Sequence, residues 1–228
     1  MQLDGARFLI TGGGSGLGRQ LALQAAARGA HVEVWDLDAA AAAATTEITG
    51  GTSQRVDVTD TAAVDAAAAA AGAIDVLVNC AGIVSGKSLL DASEAAIRRT
   101  FEVNTLAGYW TTRAFLPGML DRDRGTIVTL ASAAGLVGVA RQTDYSASKW
   151  AAIGFTESLR AELRASGSQV STLVVAPYYI DTGMFAGVRT RVPLLLPILK
   201  EAKVATQFFL VIGRPRKSTL LPSPALFR

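Results

Sequence analysis

Thr11-Gly12-Gly13-Gly14-Ser15-Gly16-Leu17-Gly18 joins a short apolar run, Arg7-Phe8-Leu9-Ile10, to a segment of helical spacing over 17–28, where Leu17, Leu21 and Ala25 share one face. Glycines at 12, 16 and 18 let the backbone come close to a pyrophosphate. The positive N-terminus of the following helix would hold that anion. Glycine-rich turns are common; the position between a strand and a helix gives this one its weight. Asp36 ends the next apolar run, His31-Val32-Glu33-Val34-Trp35, and lies 18 residues after Gly18. A carboxylate there accepts hydrogen bonds from both hydroxyls of an adenosine ribose and repels a 2′-phosphate. Leu37 follows it, not a cation, so NAD is expected over NADP. The competing reading of Asp36 is a surface loop acid.

Outward from this turn the same alternation continues. A helix is expected over 39–48, a strand over 55–58, a helix over 61–71 with Asp60 or Thr59 as N-cap, and a strand over 74–78 stopped by Asn79-Cys80-Ala81-Gly82. A long helical region over 94–115, a strand over 125–130, a helix over 144–166 and a strand over 170–175 follow. Strands alternating with helices imply an α/β fold, a doubly wound parallel sheet in three layers, helix on sheet on helix. The run Ile127-Val128-Thr129-Leu130 suits a sheet covered on both faces. No linker interrupts residues 1–228, so one domain is expected.

The rhythm breaks over 181–203, where Gly183, Gly187, Pro193 and Pro197 surround an apolar stretch. A substrate lid and a helical hairpin on the sheet edge or a partner subunit compete evenly here. Residues 1–186 carry 14 Lys/Arg and 18 Asp/Glu, a net −4, whereas residues 187–228 carry 8 and 1, a net +7. That tail reads as a solvated or oligomer-contact segment first, and as a weak contact with an anionic membrane surface second. Half of the residues are apolar, but the alanine tracts make helices, and no run of about 18 apolar residues spans a membrane. Met1 leads into a strand within a few residues, leaving no room for a signal peptide, and a cytoplasmic location is expected. One Cys and one His exclude an intrachain disulfide and argue against a metal site. Nothing resembles a nucleic-acid reading element.

The chemistry sits in Tyr145-Ser146-Ala147-Ser148-Lys149, which puts a phenol and an ammonium on one helix face. The cation favours the phenolate and should lower a phenol that ordinarily titrates near 10, allowing proton exchange with a substrate oxygen. Ser132 lies 13 residues earlier, directly after a strand, where ligands bind in open α/β sheets. Asn104 is a poor helix-interior residue and so a candidate for a polar role.

With Thr11 to Gly18, Asn79-Cys80-Ala81-Gly82, Asn104, Ser132 and Tyr145/Lys149 in that order and spacing, the chain resembles the short-chain dehydrogenase/reductase family along nearly its whole length. The resemblance implies a Rossmann-like fold and a tetrad of Asn104, Ser132, Tyr145 and Lys149. In it Tyr145 is the general acid/base and Ser132 holds the substrate oxygen. Lys149 lowers Tyr145 and binds the nicotinamide ribose, and Asn104 holds a water linked to Lys149. The cofactor set implied is Gly12, Ser15, Gly16, Leu17, Gly18, Asp36, Asp57, Val58, Asn79, Ala81, Gly82, Tyr145, Lys149, Pro177 and Thr182, with Asp57 and Val58 at the adenine and Asn79 stabilising the central sheet. Three departures stand out: Tyr178 where the family usually has glycine, Cys80, expected to be inert packing, and no recognisable glycine-rich last strand. Asp181-Thr182-Gly183-Met184-Phe185 resembles the branch acting on retinoids, steroids and other lipophilic alcohols. The expected activity is NAD-dependent hydride transfer to or from a secondary or lipophilic alcohol, in a homodimer or homotetramer joined through the two long helices. The alternatives are an NADPH-dependent ketoreductase of ketoacyl or quinone substrates, a non-catalytic NAD sensor, and a lipid-surface protein working through its tail.

Overall fold

The computed structural model describes residues 3–181, 199–212 and 220–221. Strands β1 (Arg7–Thr11), β2 (His31–Asp36), β3 (Thr52–Arg55), β4 (Val76–Asn79), β5 (Thr126–Leu130), β6 (Ser171–Val175) and β7 (Leu220–Leu221) form one sheet in the order β3-β2-β1-β4-β5-β6-β7. Every pairing is parallel. Helices α1 (Gly16–Ala26), α2 (Ala39–Thr49), α3 (Thr61–Ala71), α4 (Glu94–Phe101), α5 (Ala107–Asp121), α6 (Thr143–Ala165) and α7 (Glu201–Ile212) cover it. This is the expected Rossmann-like, doubly wound arrangement.

The strand period of two explains the layers. Phe8 and Ile10 of β1 enter one buried cluster, with Val76, Val78, Val128 and the apolar faces of α1 and α7. Leu9, between them, points the other way, into a cluster with Leu77, Ile127 and side chains of α3, α5 and α6. β4 and β5 are buried at every position. Side-chain caps set three α-helix starts among the described residues: Asp38 accepts from Ala40 N and Ala41 N at α2, Asp60 from Ala62 N and Ala63 N at α3, and Ser93 from Ala96 N at α4.

Three segments differ from the sequence expectation. β3 lies three residues earlier than 55–58, because its register against β2 pairs Glu33 with Thr52 and Asp36 with Arg55, and β2 ends there. Val56 and Val58 are buried but lie beyond the strand. The single helix expected over 94–115 is two helices joined by a π-helical turn, Glu102–Leu106, and the second runs on through Pro117 to Asp121. A seventh strand exists, two residues long, and α7 precedes it. The expected lid falls mostly on 182–198, outside the described residues. Its flanks meet where Asp181 N donates to Leu199 O (2.9 Å) and Leu199 N to Tyr179 O (2.8 Å). Most of the basic tail also lies outside them. Among the described residues no helix is long and apolar enough to cross a membrane.

α7 docks on α1 through Phe208, which is 1% exposed, and Phe209, whose ring lies edge-on to Phe208 at 4.9 Å and under the Arg28 guanidinium at 4.6 Å. Truncating such a side chain loses its transfer free energy and leaves a cavity. Phe208→Ala is expected to destabilise the fold by about 3–5 kcal/mol. The urea midpoint should fall; an unchanged midpoint would mean that α7 contributes nothing to the core.

Candidate active site

The strand order reverses between β1 and β4, so the chain leaves these two carboxyl ends in opposite directions and a crevice opens between them. Thr11 holds its floor: its Oγ1 accepts from Cys80 N (3.1 Å) and Ala81 N (3.2 Å). Gly12, at φ +66°, has no room for a Cβ, which would stand 2.8 Å from Ala81 Cα. At Gly18 a Cβ would collide with Gly12 O. α1 starts at Gly16, and its N-cap Ser15 makes no side-chain cap, so the first N–H groups of the helix face the crevice without a side-chain acceptor from their own cap.

A cavity of about 740 Å³ starts from this loop. Of the expected cofactor set, Gly12, Ser15, Gly16, Leu17, Gly18, Asp36, Asp57, Val58, Ala81, Gly82, Tyr145, Lys149 and Pro177 line it. So do Ser132, Cys80 and Tyr178. Asn79 does not: it is buried beneath, where its Oδ1 accepts from Thr111 Oγ1 (2.7 Å) and its Nδ2 donates to Thr112 Oγ1 (3.4 Å), tying β4 to α5. These contacts brace the sheet, the role that the resemblance gives Asn79. Thr182 lies outside the described residues.

At one end of the cavity, Asp36 accepts from Gly14 N (2.9 Å) through Oδ2 and from Asp38 N (3.0 Å) through Oδ1. The carboxylate is thus aimed by the glycine loop itself and is not a loose surface acid. Leu37 and Val58 line the same cavity. Asp57 is held by Thr59 and Arg99, with Arg99 Nη2 at 3.3 Å from Oδ2. Burial alone would raise its carboxyl, but hydrogen bonds from Thr59 and the Arg99 charge outweigh it and leave the group below its ordinary value. Arg99 was not foreseen. Its only signal in the sequence is an i,i+3 spacing to Glu102, which many helices carry.

At the other end are Ser132, Tyr145 and Lys149. Ser132 caps a short turn, Ala133–Gly135, by accepting from Ala134 N (3.2 Å), and shares a side-chain hydrogen bond with Tyr145. Lys149 Nζ donates to Leu130 O (2.8 Å) and stands 5.8 Å from the Tyr145 ring centre. Both groups are buried, and burial governs both. It pushes the Lys149 ammonium down to about 8 and the Tyr145 phenol up to about 12; the Ser132 hydrogen bond is the opposing effect on Tyr145. The expected lowering of Tyr145 by Lys149 is thus not the dominant effect; burial is. Burial likewise pushes the Cys80 thiol to about 12, which suits an unreactive packing residue.

Asn104 sits in the π turn, which widens the helix and lets its side chain work sideways. Its Oδ1 accepts from Ile83 N (2.8 Å), and its Nδ2 donates to Ile83 O (2.9 Å) and Ser148 Oγ (3.0 Å). It lines a separate void of about 20 Å³ with Thr11, Asn79 and Leu130, a volume that fits one water. Ile83, Val84, Tyr178 and Ile180 give the cavity an apolar side near Tyr145.

A parallel doubly wound sheet and a glycine loop at its switch point, opening into the cavity that also holds Ser132, Tyr145 and Lys149, define an α/β protein of the dinucleotide-binding class. Residues 7–193 match the family model described as short chain dehydrogenase. The chain belongs to the short-chain dehydrogenase/reductase family of oxidoreductases, in its retinol-dehydrogenase-like branch. It is 38% identical over 233 residues to short-chain dehydrogenase/reductase family 16C member 6 of Bos taurus, covering 96% of this chain and 73% of that protein. It is 42% identical to human epidermal retinol dehydrogenase 2, covering 89% and 69% of the two chains. A crystal structure of a short-chain dehydrogenase/reductase from Burkholderia phymatum in complex with NAD superposes with a TM-score of 0.86 at 30% identity, covering 96% of this chain and 90% of that one.

A lysine whose folded value is depressed contributes stability above its unfolded value and loses it as pH falls through the folded value. For Lys149 the window is about 8 to 10.5. Across it, wild type should gain stability relative to Lys149→Met with rising pH, by roughly 1 kcal/mol per pH unit. Urea midpoints of the two proteins at several pH values test this; parallel curves would place the ammonium in solvent.

Proposed function

We propose that the chain is an NAD-dependent dehydrogenase/reductase for a secondary or lipophilic alcohol and its carbonyl. The observation that carries the reading is a single cavity containing the glycine loop, Asp36, and the hydrogen-bonded Ser132–Tyr145 pair beside Lys149. Steric fit supports a dinucleotide: Gly12 and Gly18 leave room where a Cβ would close the loop, and about 740 Å³ is ample for an extended ligand. Ser15 to Gly18 would hold the pyrophosphate, Asp36 the adenosine ribose, Asp57 and Val58 the adenine, and Lys149 the nicotinamide ribose. Ala81, Gly82, Pro177 and Thr182 would line the nicotinamide end. When bound, the nicotinamide supplies a hydride acceptor or donor at its ring C4.

The protein's own part is to hold one oxygen and move one proton. Ser132 Oγ and Tyr145 Oη converge on the substrate oxygen. In carbonyl reduction the neutral phenol, favoured by its burial, donates its proton to that oxygen. In alcohol oxidation Tyr145 accepts the hydroxyl proton as phenolate, and the Lys149 charge offsets the cost of burying that anion. Asn104, through the adjoining small void, would hold the water that links Lys149 to solvent.

Asp36 supports NAD over NADP, since a 2′-phosphate would meet a fixed carboxylate. Arg99, the cation at that end, is engaged by Asp57, Thr59 and Glu102. The apolar side formed by Ile83, Val84 and Ile180 supports a lipophilic substrate, as does a relative named as a retinol dehydrogenase. The alternatives are an NADPH-dependent ketoreductase and a non-catalytic NAD sensor. A homodimer or homotetramer would use α4, α5 and α6, where Tyr109 and Trp150 are 38% and 54% exposed. A cytoplasmic location, with a weak membrane-surface contact through 187–228, completes the proposal.

Side-by-side titration of NAD and NADP should give at least tenfold preference for NAD, and Asp36→Ser should erase most of it. Preference for NADP in the wild type would move the ketoreductase reading ahead. Tyr145→Phe should keep NAD binding and lose about 10²–10⁴-fold in turnover of lipophilic secondary alcohols. Undiminished turnover in that variant would remove Tyr145 from the chemistry, and binding of neither dinucleotide would remove the enzyme reading.

A further inference from the structure

Asp144 is a buried carboxylate that the proposed chemistry does not use. It is 4% exposed, stands in the first turn of α6 and immediately precedes Tyr145. A buried carboxylate is costly unless hydrogen-bonded or paired. None of the ion pairs among the described residues includes it. Its two oxygens instead accept from hydroxyls on two other elements: Oδ1 from Ser85 Oγ (3.0 Å) and Oδ2 from Thr100 Oγ1 (2.9 Å). The positive end of α6 adds to its stabilisation.

Ser85 belongs to the segment that leaves β4, crosses the cavity wall and enters α4. Two of its residues are fastened. Ile83 is held through both backbone polar groups by Asn104, and Ser85 is held by Asp144. Between and beside these points, Gly82, Ile83 and Val84 line the main cavity. The wall also stands close to the reacting groups, for a Cβ at Gly82 would lie 3.5 Å from Lys149 Nζ. Ser85–Asp144 joins this wall to α6 directly, whereas Asn104 reaches from Ile83 to Ser148 of α6 only by way of the π turn.

We propose that Asp144 is a positioning residue: it fixes the 82–85 wall to the helix that carries Tyr145 and Lys149, and so shapes the nicotinamide end of the cavity. The functional consequence rests on the dinucleotide reading above; the fastening itself does not. The geometry also predicts which substitution is tolerated. In Asp144→Asn the amide oxygen can accept from Ser85 while its NH₂ donates to Thr100 Oγ1, because that hydroxyl can give its own proton to Ala96 O at 2.9 Å. Asp144→Ala removes both links.

The test combines amide hydrogen exchange over 82–92 with binding of NADH and of AMP to the full chain. Asp144→Ala is expected to speed exchange of the wall at least tenfold and weaken NADH at least fivefold, leaving AMP, which reaches only the far end, unchanged. Asp144→Asn should restore both. Ser85→Ala removes a half-buried hydroxyl that also accepts from Lys87 N (3.4 Å), so it should reproduce the faster exchange at 82–84, away from that contact, even if Asp144→Ala does not fold. Unchanged exchange in Ser85→Ala and Asp144→Ala overturns the proposal, and equal weakening of AMP and NADH reduces Asp144 to general stability. If wild type binds neither ligand, the dinucleotide reading fails, while the exchange comparison still decides whether Asp144 fastens the wall.

Discussion

The two halves of the sheet meet at the hydroxyl of Thr11. It accepts from the N–H groups of Cys80 and Ala81, which continue β4 after its last sheet bond, and so fixes the end of β1 against the end of β4. This contact demands a residue without a side chain next to it, since the backbone of Ala81 occupies the space a Cβ at Gly12 would need. The rest of the cavity is arranged around that point. α1 starts a turn later with its N-terminus facing inward. Asp36 reaches back to Gly14 from the neighbouring strand, and Gly82 to Val84 continue from Ala81 as the opposite wall.

The end of the cavity at Tyr145 and Lys149 depends on a different balance. Burial opposes charge on both Tyr145 and Lys149, raising one and lowering the other towards the neutral form. Groups buried this deeply feel each remaining hydrogen bond and charge more strongly. The few polar contacts present therefore matter: Ser132 on Tyr145, Leu130 O on Lys149, and the Asn104 and Asp144 side chains that hold the adjoining wall. The cost is spread over secondary-structure ends, where β5, the π turn and the first turn of α6 all present polar groups to one place.

Much of this was legible from residue patterns. The alternation of apolar runs and helical periods fixes a parallel sheet, because strands buried on both faces need apolar side chains on both. The glycine spacing and the position of Asp36 identify the crevice, and Tyr145 with Lys149 identifies the helix that lines its other end. Less legible were features set by pairing partners. The shift of β3 follows from where β2 stops, and the break at Asn104 from hydrogen bonds to Ile83, 21 residues away in sequence. In the sequence Arg99 and Asp144 are indistinguishable from ordinary helix charges, because their partners, Asp57 and Thr59 for one and Ser85 and Thr100 for the other, are set by the fold.

The sequence alone determined which chemical groups exist and on which kind of element each stands. That information is local: a period, a cap, a turn glycine, a Tyr and a Lys one helical turn apart. The tertiary structure alone decided which groups became buried, and hence that Tyr145 sits above its ordinary value and that Thr111 and Thr112 are the partners through which Asn79 braces the sheet. Burial and hydrogen-bond partnership are properties of chain segments brought together from far apart, and no local pattern records them.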